Sequence, residues 1–329
     1  MQIRRVHTFA LGIVSGLILL VLPHTGAKPS QNWPSRAVKV IVPLGPGSGT
    51  DAIGRLFAER LSARWNKPVV IENRPGGDGM IGIKAFLMAA DDHVLLFTAT
   101  SVFTGHAYLH DTLPYDPADL IPAAQVNDTP VVIAIPTALG VTSLREFVHM
   151  ARARPNALNA AAITGLQDLI FSGFAKKKNL QIAKVPYRDA VLALSDLAEN
   201  RIQILLTSVT IVQAQVQAGK VMIIATTSRR RPPVLPEIPT VTEAGFADLT
   251  VEGGAGFFVP KTMNPSLREQ IAADVMGVAH ADPTLRGRLA AMGQVLRTGT
   301  PADFLQLVED QRDRAAAAAA LLGIKPAPQ

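Results

Sequence analysis

The chain has 329 residues, 48% apolar and 18% charged, a balance that excludes a disordered chain and suits a globular α/β protein with two lobes. Its net charge of +6 comes with no dense basic patch and only two Trp, three Tyr and twelve Phe, which argues against nucleic acid as a partner. There is no cysteine, so disulfides, thiolate zinc sites, a cysteine nucleophile and a lipoprotein anchor are all excluded.

Met1 to Ala27 begins with Arg4 and Arg5, continues uncharged from Phe9 to Leu22, and ends with Pro23, Gly26 and Ala27. This is the three-part layout of a secretory signal peptide, with cleavage expected after Thr25-Gly26-Ala27. The apolar run is short of the ~20 residues of a membrane span. An uncleaved anchor is the alternative, and a mature protein outside the cytoplasm is the expectation.

Val38 to Val42 is apolar and β-branched, as in a buried strand, and Ile53, Leu56, Phe57 and Leu61 recur at helical spacing. Between them lies Pro43-Leu44-Gly45-Pro46-Gly47-Ser48-Gly49-Thr50-Asp51, a glycine-rich turn leading into a helix start. Glycine there permits positive φ and leaves room for a ligand against the main chain; this is expected of Gly49 in particular. Thr50 or Asp51 is positioned to cap the helix, and the free N–H groups of its first turn favour an anion. No Gly-Lys-Ser/Thr follows, so a nucleotide phosphate loop is excluded. Gly47, Ser48, Gly49, Thr50 and Asp51 are therefore candidate ligand contacts, with a purely geometric tight turn as the alternative. Asp51 serves either as a cap or as a contact for an amine or hydroxyl.

Pro68 to Glu72 predicts a second strand. Gly77-Asp78-Gly79-Met80-Ile81-Gly82 then matches a dinucleotide fingerprint, but the next strand, Val94 to Phe97, ends in Thr98 with no acidic residue for a ribose. Thr98-Ala99-Thr100-Ser101 closes that strand where open α/β sheets place ligands. Pro130 to Ile135 is expected to cross between lobes, and Thr142 or Ser143 to cap a helix carrying Leu144, Phe147, Val148 and Ala151. Strands at Leu158–Ala162, Ala183–Val185, Ile202–Leu206 and Met222–Ala225 alternate with helices and predict a largely parallel sheet. Ser228 to Pro233 predicts an exposed extended connection. Val251 to Val259 is expected to cross back, with helices at Pro265–His280, Thr284–Met292 and Pro301–Leu322. The helix-favouring run Ala315–Ala320 is expected to serve packing.

The turn Val42 to Asp51 followed by Glu72-Asn73-Arg74-Pro75-Gly76-Gly77-Asp78-Gly79 resembles the Bug family of solute-binding proteins, the extracytoplasmic components of tripartite tricarboxylate transporters. Leu113-Pro114-Tyr115-Asp116-Pro117, Val185-Pro186-Tyr187-Arg188, Pro239 to Gly245 and Gly323-Ile324-Lys325-Pro326 follow in family order. The resemblance implies a two-lobed α/β type II periplasmic-binding-protein fold with a ligand cleft between the lobes. It also implies a periplasmic location, a small organic acid as ligand, membrane transporter subunits as partners, and a monomer. The division it suggests is signal peptide 1–27, first lobe 28–129, second lobe 130–250, and a return of 251–329 to the first lobe.

The expected pocket joins four strand-to-helix turns, Gly47–Asp51, Thr98–Ser101, Thr164–Asp168 and Thr207–Thr210, none with a lysine or arginine. Thr98, Thr100, Ser101, Thr164, Gly165, Gln167, Asp168 and Ser208 complete the candidate set. Lobe closure would bring the glycine turn and the Thr164 and Ser208 turns onto one carboxylate. Thr164 to Asp168 departs from the commoner family pattern, richer in glycine and serine, and Asp189 stands where a glycine usually follows the Val-Pro-Tyr-Arg motif. Asp168 would repel a further carboxylate, bind a cationic part of the ligand, or cap its helix in solvent. His106 and His110 are four apart, but no general-base glutamate lies between them and no Gly-x-Ser-x-Gly elbow exists, so no catalytic residue, metal or cofactor is expected. A ligand sensor for a signalling partner is the alternative role, with a secreted hydrolase less favoured.

Overall fold

The computed structural model describes residues 33–163 and 165–328; the expected signal segment 1–27, Thr164 and Gln329 lie outside the described residues. Strand β1 (Val38–Val42) is buried on both faces except at Lys39, as its continuous apolar run requires. It pairs in parallel with β2 (Val69–Asn73) and β3 (Val94–Ala99), linked through helices α1 (Gly49–Trp65) and α2 (Met80–Ala89). After the short helix α3 (His106–Leu109), the strand β4 (Leu120–Thr129) joins this sheet, and β10 (Gly253–Pro260) later inserts between β3 and β4, antiparallel to both. The two-residue β11 (Val295–Leu296) closes the order β11-β4-β10-β3-β1-β2.

Apolar side chains fill both faces of this sheet. One face packs Ile53, Phe57 and Leu61 of α1 with Ile271 and Val275 of α8 (Pro265–Ala281). The other packs Ile83 and Phe86 of α2 with Phe103, Phe258 and Phe304. Asp274 ties α8 to α1, accepting from Arg64 Nε at 2.6 Å and from Trp65 Nε1 at 2.8 Å.

The chain leaves β4 at Pro130 and at once enters β5 (Val131–Pro136), the centre of a second sheet between β8 (Leu205–Ser208) and β9 (Val221–Thr226). The parallel pair β6 (Asn159–Ala162) and β7 (Ala183–Pro186) joins it through a bridge from Ala160 to Ile204. Helices α4 (Leu144–Ala153), α5 (Leu166–Lys177), α6 (Ala190–Ala198) and α7 (Val209–Gln217) cover this sheet. The four strands expected to alternate with helices, β6, β7, β8 and β9, do share one direction, and β5 alone runs antiparallel between β8 and β9. A strand that continues straight from β4 takes its direction from the crossing, whereas a βαβ crossover would have set it parallel.

The chain returns through β10, then α8, α9 (Leu285–Ala291) and α10 (Pro301–Leu322). Helix α10 starts with a capping box between Thr300 and Asp303 and packs Phe304 and Val308 on the first sheet. Its last turns carry Ala315, Ala318 and Ala319 into the core of the second. Small side chains are needed there: a Cβ built on Gly173 of α5 would lie 2.9 Å from Ala318 Cα. The alanine run packs, as its composition predicts, and the helix braces both sheets. No helix among the described residues is long and apolar enough to cross a membrane.

Candidate ligand-binding cleft

The glycine turn is built by reciprocal capping. Ser48 is the N-cap of α1, its hydroxyl accepting from Asp51 N–H at 3.2 Å, while Asp51 Oδ2 accepts from Gly47 N–H at 2.9 Å. The cap is thus Ser48, where Thr50 or Asp51 was expected. Asp51 is 2% exposed and also accepts from Arg55 Nε at 3.0 Å and Asn73 Nδ2 at 2.8 Å. Burial pushes its carboxyl up, but the hydrogen bonds from Arg55, Gly47 and Asn73 outweigh that and hold it below the ordinary carboxylate range. Asp51 is therefore committed to shaping the turn. The residue with positive φ is Gly47, at +80°, whereas Gly49 begins the helix; both are exposed, and a Cβ on either meets nothing within 4 Å. Thr50 is half-buried beside them.

The hydroxyls after β3 are mostly spent inside the protein. Thr98 and Thr100 are fully buried; Thr100 Oγ1 donates to Gly254 O at 3.1 Å and accepts from Gln311 Nε2 at 2.7 Å. Gln311 of α10 also accepts from Thr104 Oγ1 at 2.9 Å. Ser101 is the half-buried hydroxyl of that turn. The segment after it abuts the second sheet's helices, since a Cβ on Gly105 would lie 3.6 Å from Leu166 Cα at the start of α5.

In the second lobe, Gln167, Asp168 and Ser208 come together around a cavity of about 140 Å³, with Thr207 and an apolar lining that includes Ala160, Ile163, Phe171 and Leu206. None of the first-sheet turns contributes to that lining. Gly165 is the N-cap of α5 and Ser208 the N-cap of α7, and neither helix has a side-chain cap among the described residues, whereas Ser143 and Asp189 cap α4 and α6. The cavity therefore lies beside two helix starts whose first-turn N–H groups lack a side-chain cap, the arrangement that favours an anion. Asp189 accepts from Val191 N–H and Leu192 N–H at 3.0 Å each, which explains an acid where the related motif has glycine. Asp168 Oδ2 accepts from Lys184 Nζ at 2.6 Å, so its charge is compensated from within the protein.

A larger cavity of about 470 Å³ lies against the two crossings, lined by Asp128, Pro130, Arg229 to Pro233, Glu252 and Arg297 among others. Most of its cations are already paired: Arg297 with Asp128 at 3.2 Å, Arg231 with Glu243 at 3.0 Å, and Arg229 with Glu252 and Asp310. Burial raises Asp128 to about 6 against the pull of Arg297. With three of its four arginines engaged and no helix start in its lining, this cavity is the weaker ligand site despite its size.

The dinucleotide-like stretch and the buried histidines pack within the protein. Gly82 packs α2 against the first turn: a Cβ there would lie 2.7 Å from Arg74 O and 2.8 Å from Pro43 Cα. His106 is buried, with Nδ1 2.7 Å from the Tyr115 hydroxyl, and burial together with His110 lowers it to about 4. At Asp91, Asp92 and His93, both imidazole nitrogens are engaged, Nδ1 by Asp92 and Nε2 by Ser35 N–H at 3.0 Å.

Residues 53–323 match the family described as "Tripartite tricarboxylate transporter family receptor". A protein from the tcbD-tcbE intergenic region of Pseudomonas sp. strain P51 is 29% identical over 308 residues, 92% of this chain and 91% of its own. Protein BugT of Bordetella pertussis is 27% identical over 259 residues, covering 77% and 79%. The solved structure of R. palustris Rpa4515 with adipate superposes with a TM-score of 0.76 at 26% identity, covering 89% of this chain and 99% of that one. The two-lobed periplasmic-binding-protein fold is thus shared, and the chain belongs to the tripartite tricarboxylate transporter receptor family, which includes the Bug proteins.

Proposed function

We propose that this chain is an extracytoplasmic solute-binding protein that captures a small carboxylated metabolite between two lobes and delivers it, unchanged, to a tripartite tricarboxylate-type membrane transporter. The observation that carries this is the pair of helix starts at α5 and α7, left without side-chain caps beside a cavity with hydroxyls and no cationic lining. A helix N-terminus contributes about 0.3 to 1 kcal/mol to an anion, and up to ~2 when partly buried. Two such ends with the glycine turn hold a carboxylate reversibly without a buried arginine. Adipate in the related Rpa4515 structure supports the ligand class.

The lobes of the proposal are 28–129 with 251–329, and 130–250. The glycine turn and Ser101 belong to the first; Thr164, Gly165, Gln167, Asp168 and Ser208 belong to the second. Each lobe supplies part of the hydrogen-bond set, so the ligand favours the closed arrangement by its differential affinity for it. The mature protein is exported by the 1–27 segment, acts in the periplasm as a monomer, and uses no cofactor.

A thermal-shift screen of small organic acids against nucleotides tests the class. An acid at a hundred times its dissociation constant stabilises the protein by about 2.7 kcal/mol. Stabilisation by nucleotides, and by none of the acids, contradicts the proposal.

A further inference from the structure

We propose that the far end of the ligand is an uncharged or cationic hydrogen-bond donor, an ammonium, amide or hydroxyl group, received by Asp168, and that this chain discriminates against a second carboxylate. The inference rests on the carboxylate-capture proposal and specifies its ligand. Among the described residues, Asp168 is the one ionisable side chain in the lining of the 140 Å³ cavity. Its side chain keeps 19% of its surface exposed. Of its two oxygens, Oδ2 receives Lys184 Nζ, while Oδ1 meets no donor among the described residues. Oδ1 is buried in this arrangement, so receiving a ligand donor requires the carboxylate to turn about its soft last torsion while Lys184 keeps hold of it.

Lys184 does not line the cavity; it holds Asp168 from outside it and divides its donors between that carboxylate and Ser172 Oγ, at 2.7 Å. It offers the ligand nothing, but it cancels most of the charge of Asp168. The site therefore accepts a neutral donor as well as a cationic one. A second ligand carboxylate would place acceptor against acceptor, with no proton between them and a like charge nearby. Ala160, Ile163 and Phe171 provide an apolar wall for the hydrocarbon between the two ends.

The test is calorimetric titration of the mature protein with two matched series, of four and six carbons. Each contains the dicarboxylate (succinate or adipate), the ω-hydroxy acid, the ω-amino acid and the monoamide. The expected result is that in at least one series a donor-ended acid binds at least about tenfold more tightly than the dicarboxylate, the size of one charge-assisted hydrogen bond. Asp168→Asn reduces that preference to within about threefold, as expected when the acceptor's charge is lost. Lys184→Met leaves the acid uncompensated and shifts preference from the hydroxy acid to the amino acid, separating neutral from cationic donors. A dicarboxylate that binds wild type as tightly as its donor-ended counterparts overturns this inference and leaves carboxylate capture standing. Binding of none of the acids overturns both. The wild-type ranking decides even if a variant fails to fold.

Discussion

Three glycine substitutions separate the conformational role of the first turn from its role in binding. Gly47 sits at φ +80° with open space around its Cβ position, so Gly47→Ala introduces backbone strain and no clash. A left-handed conformation costs an L-residue about 1 to 2 kcal/mol, and the reduced entropy of the unfolded chain returns about 0.4 to 1 kcal/mol. The net expectation is a loss of about 1 kcal/mol. Gly49 is the first residue of α1, again with nothing within 4 Å, so Gly49→Ala gains helix propensity worth up to about 1 kcal/mol and stabilises the fold. With a urea slope of about 3 kcal/mol/M, these are midpoint shifts of roughly 0.3 M in opposite directions. The Cβ of Gly49→Val likewise meets nothing within 4 Å, so the variant should fold and its binding should report on the ligand. Calorimetry with the best acid should find its affinity lost. Stabilisation by Gly47→Ala would refute the conformational argument, and a folded Gly49→Val that binds like wild type would remove the turn from the site.

Asp51→Asn leaves the Gly47 N–H and the Asn73 amide with a poorer partner in a buried position, and should cost about 2 to 3 kcal/mol in chemical denaturation while weakening ligand binding through a looser turn. Gly82→Ala forces α2 away from Pro43 and Arg74, and should cost about 1 to 3 kcal/mol in the same assay without creating or removing any response to dinucleotides. His106, lowered to about 4 when folded against an ordinary value of about 6.5, makes the unfolded chain the better proton acceptor between those values. Its contribution is complete above pH 6.5 and lost as pH falls toward 4, by at most about 3 kcal/mol. Asp128, raised to about 6, acts with the opposite sign, favouring the fold as pH falls from 6 toward 4. Denaturation midpoints of wild type and His106→Gln between pH 7 and 4 should therefore show the variant losing less stability, or gaining some, on acidification.

The sheets were legible where strands are buried on both faces, because β1, β3 and β5 are apolar runs broken only at Lys39 and Thr98. Strand β4 was not, since Pro122, Gln125 and Asn127 interrupt its pattern. Gln125 and Asn127 are nonetheless buried and bonded, Asn127 to Gln294 at 2.7 Å across 167 residues. Ser48 stands three residues before Asp51, the usual spacing of a serine N-cap and the N–H it accepts from, and that cap sets both the helix start and the place of the positive-φ glycine. Other features depend on partners far along the chain. Nothing near Thr100 announces that Gln311 consumes its hydroxyl, and nothing near Asp168 announces Lys184. Local pattern thus marks which turns carry donors, while tertiary packing decides which donors remain for a ligand.

A crystal structure of the mature protein with the acid that binds it best tests the capture scheme most directly. One ligand carboxylate should lie about 2.7 to 3.2 Å from N–H groups of both the Gly47–Thr50 turn and the start of α5 or α7, with the far end of the molecule reaching Asp168. An acid found instead among Arg229, Arg230 and Arg297, or touching only one lobe in a fully occupied site, would contradict it.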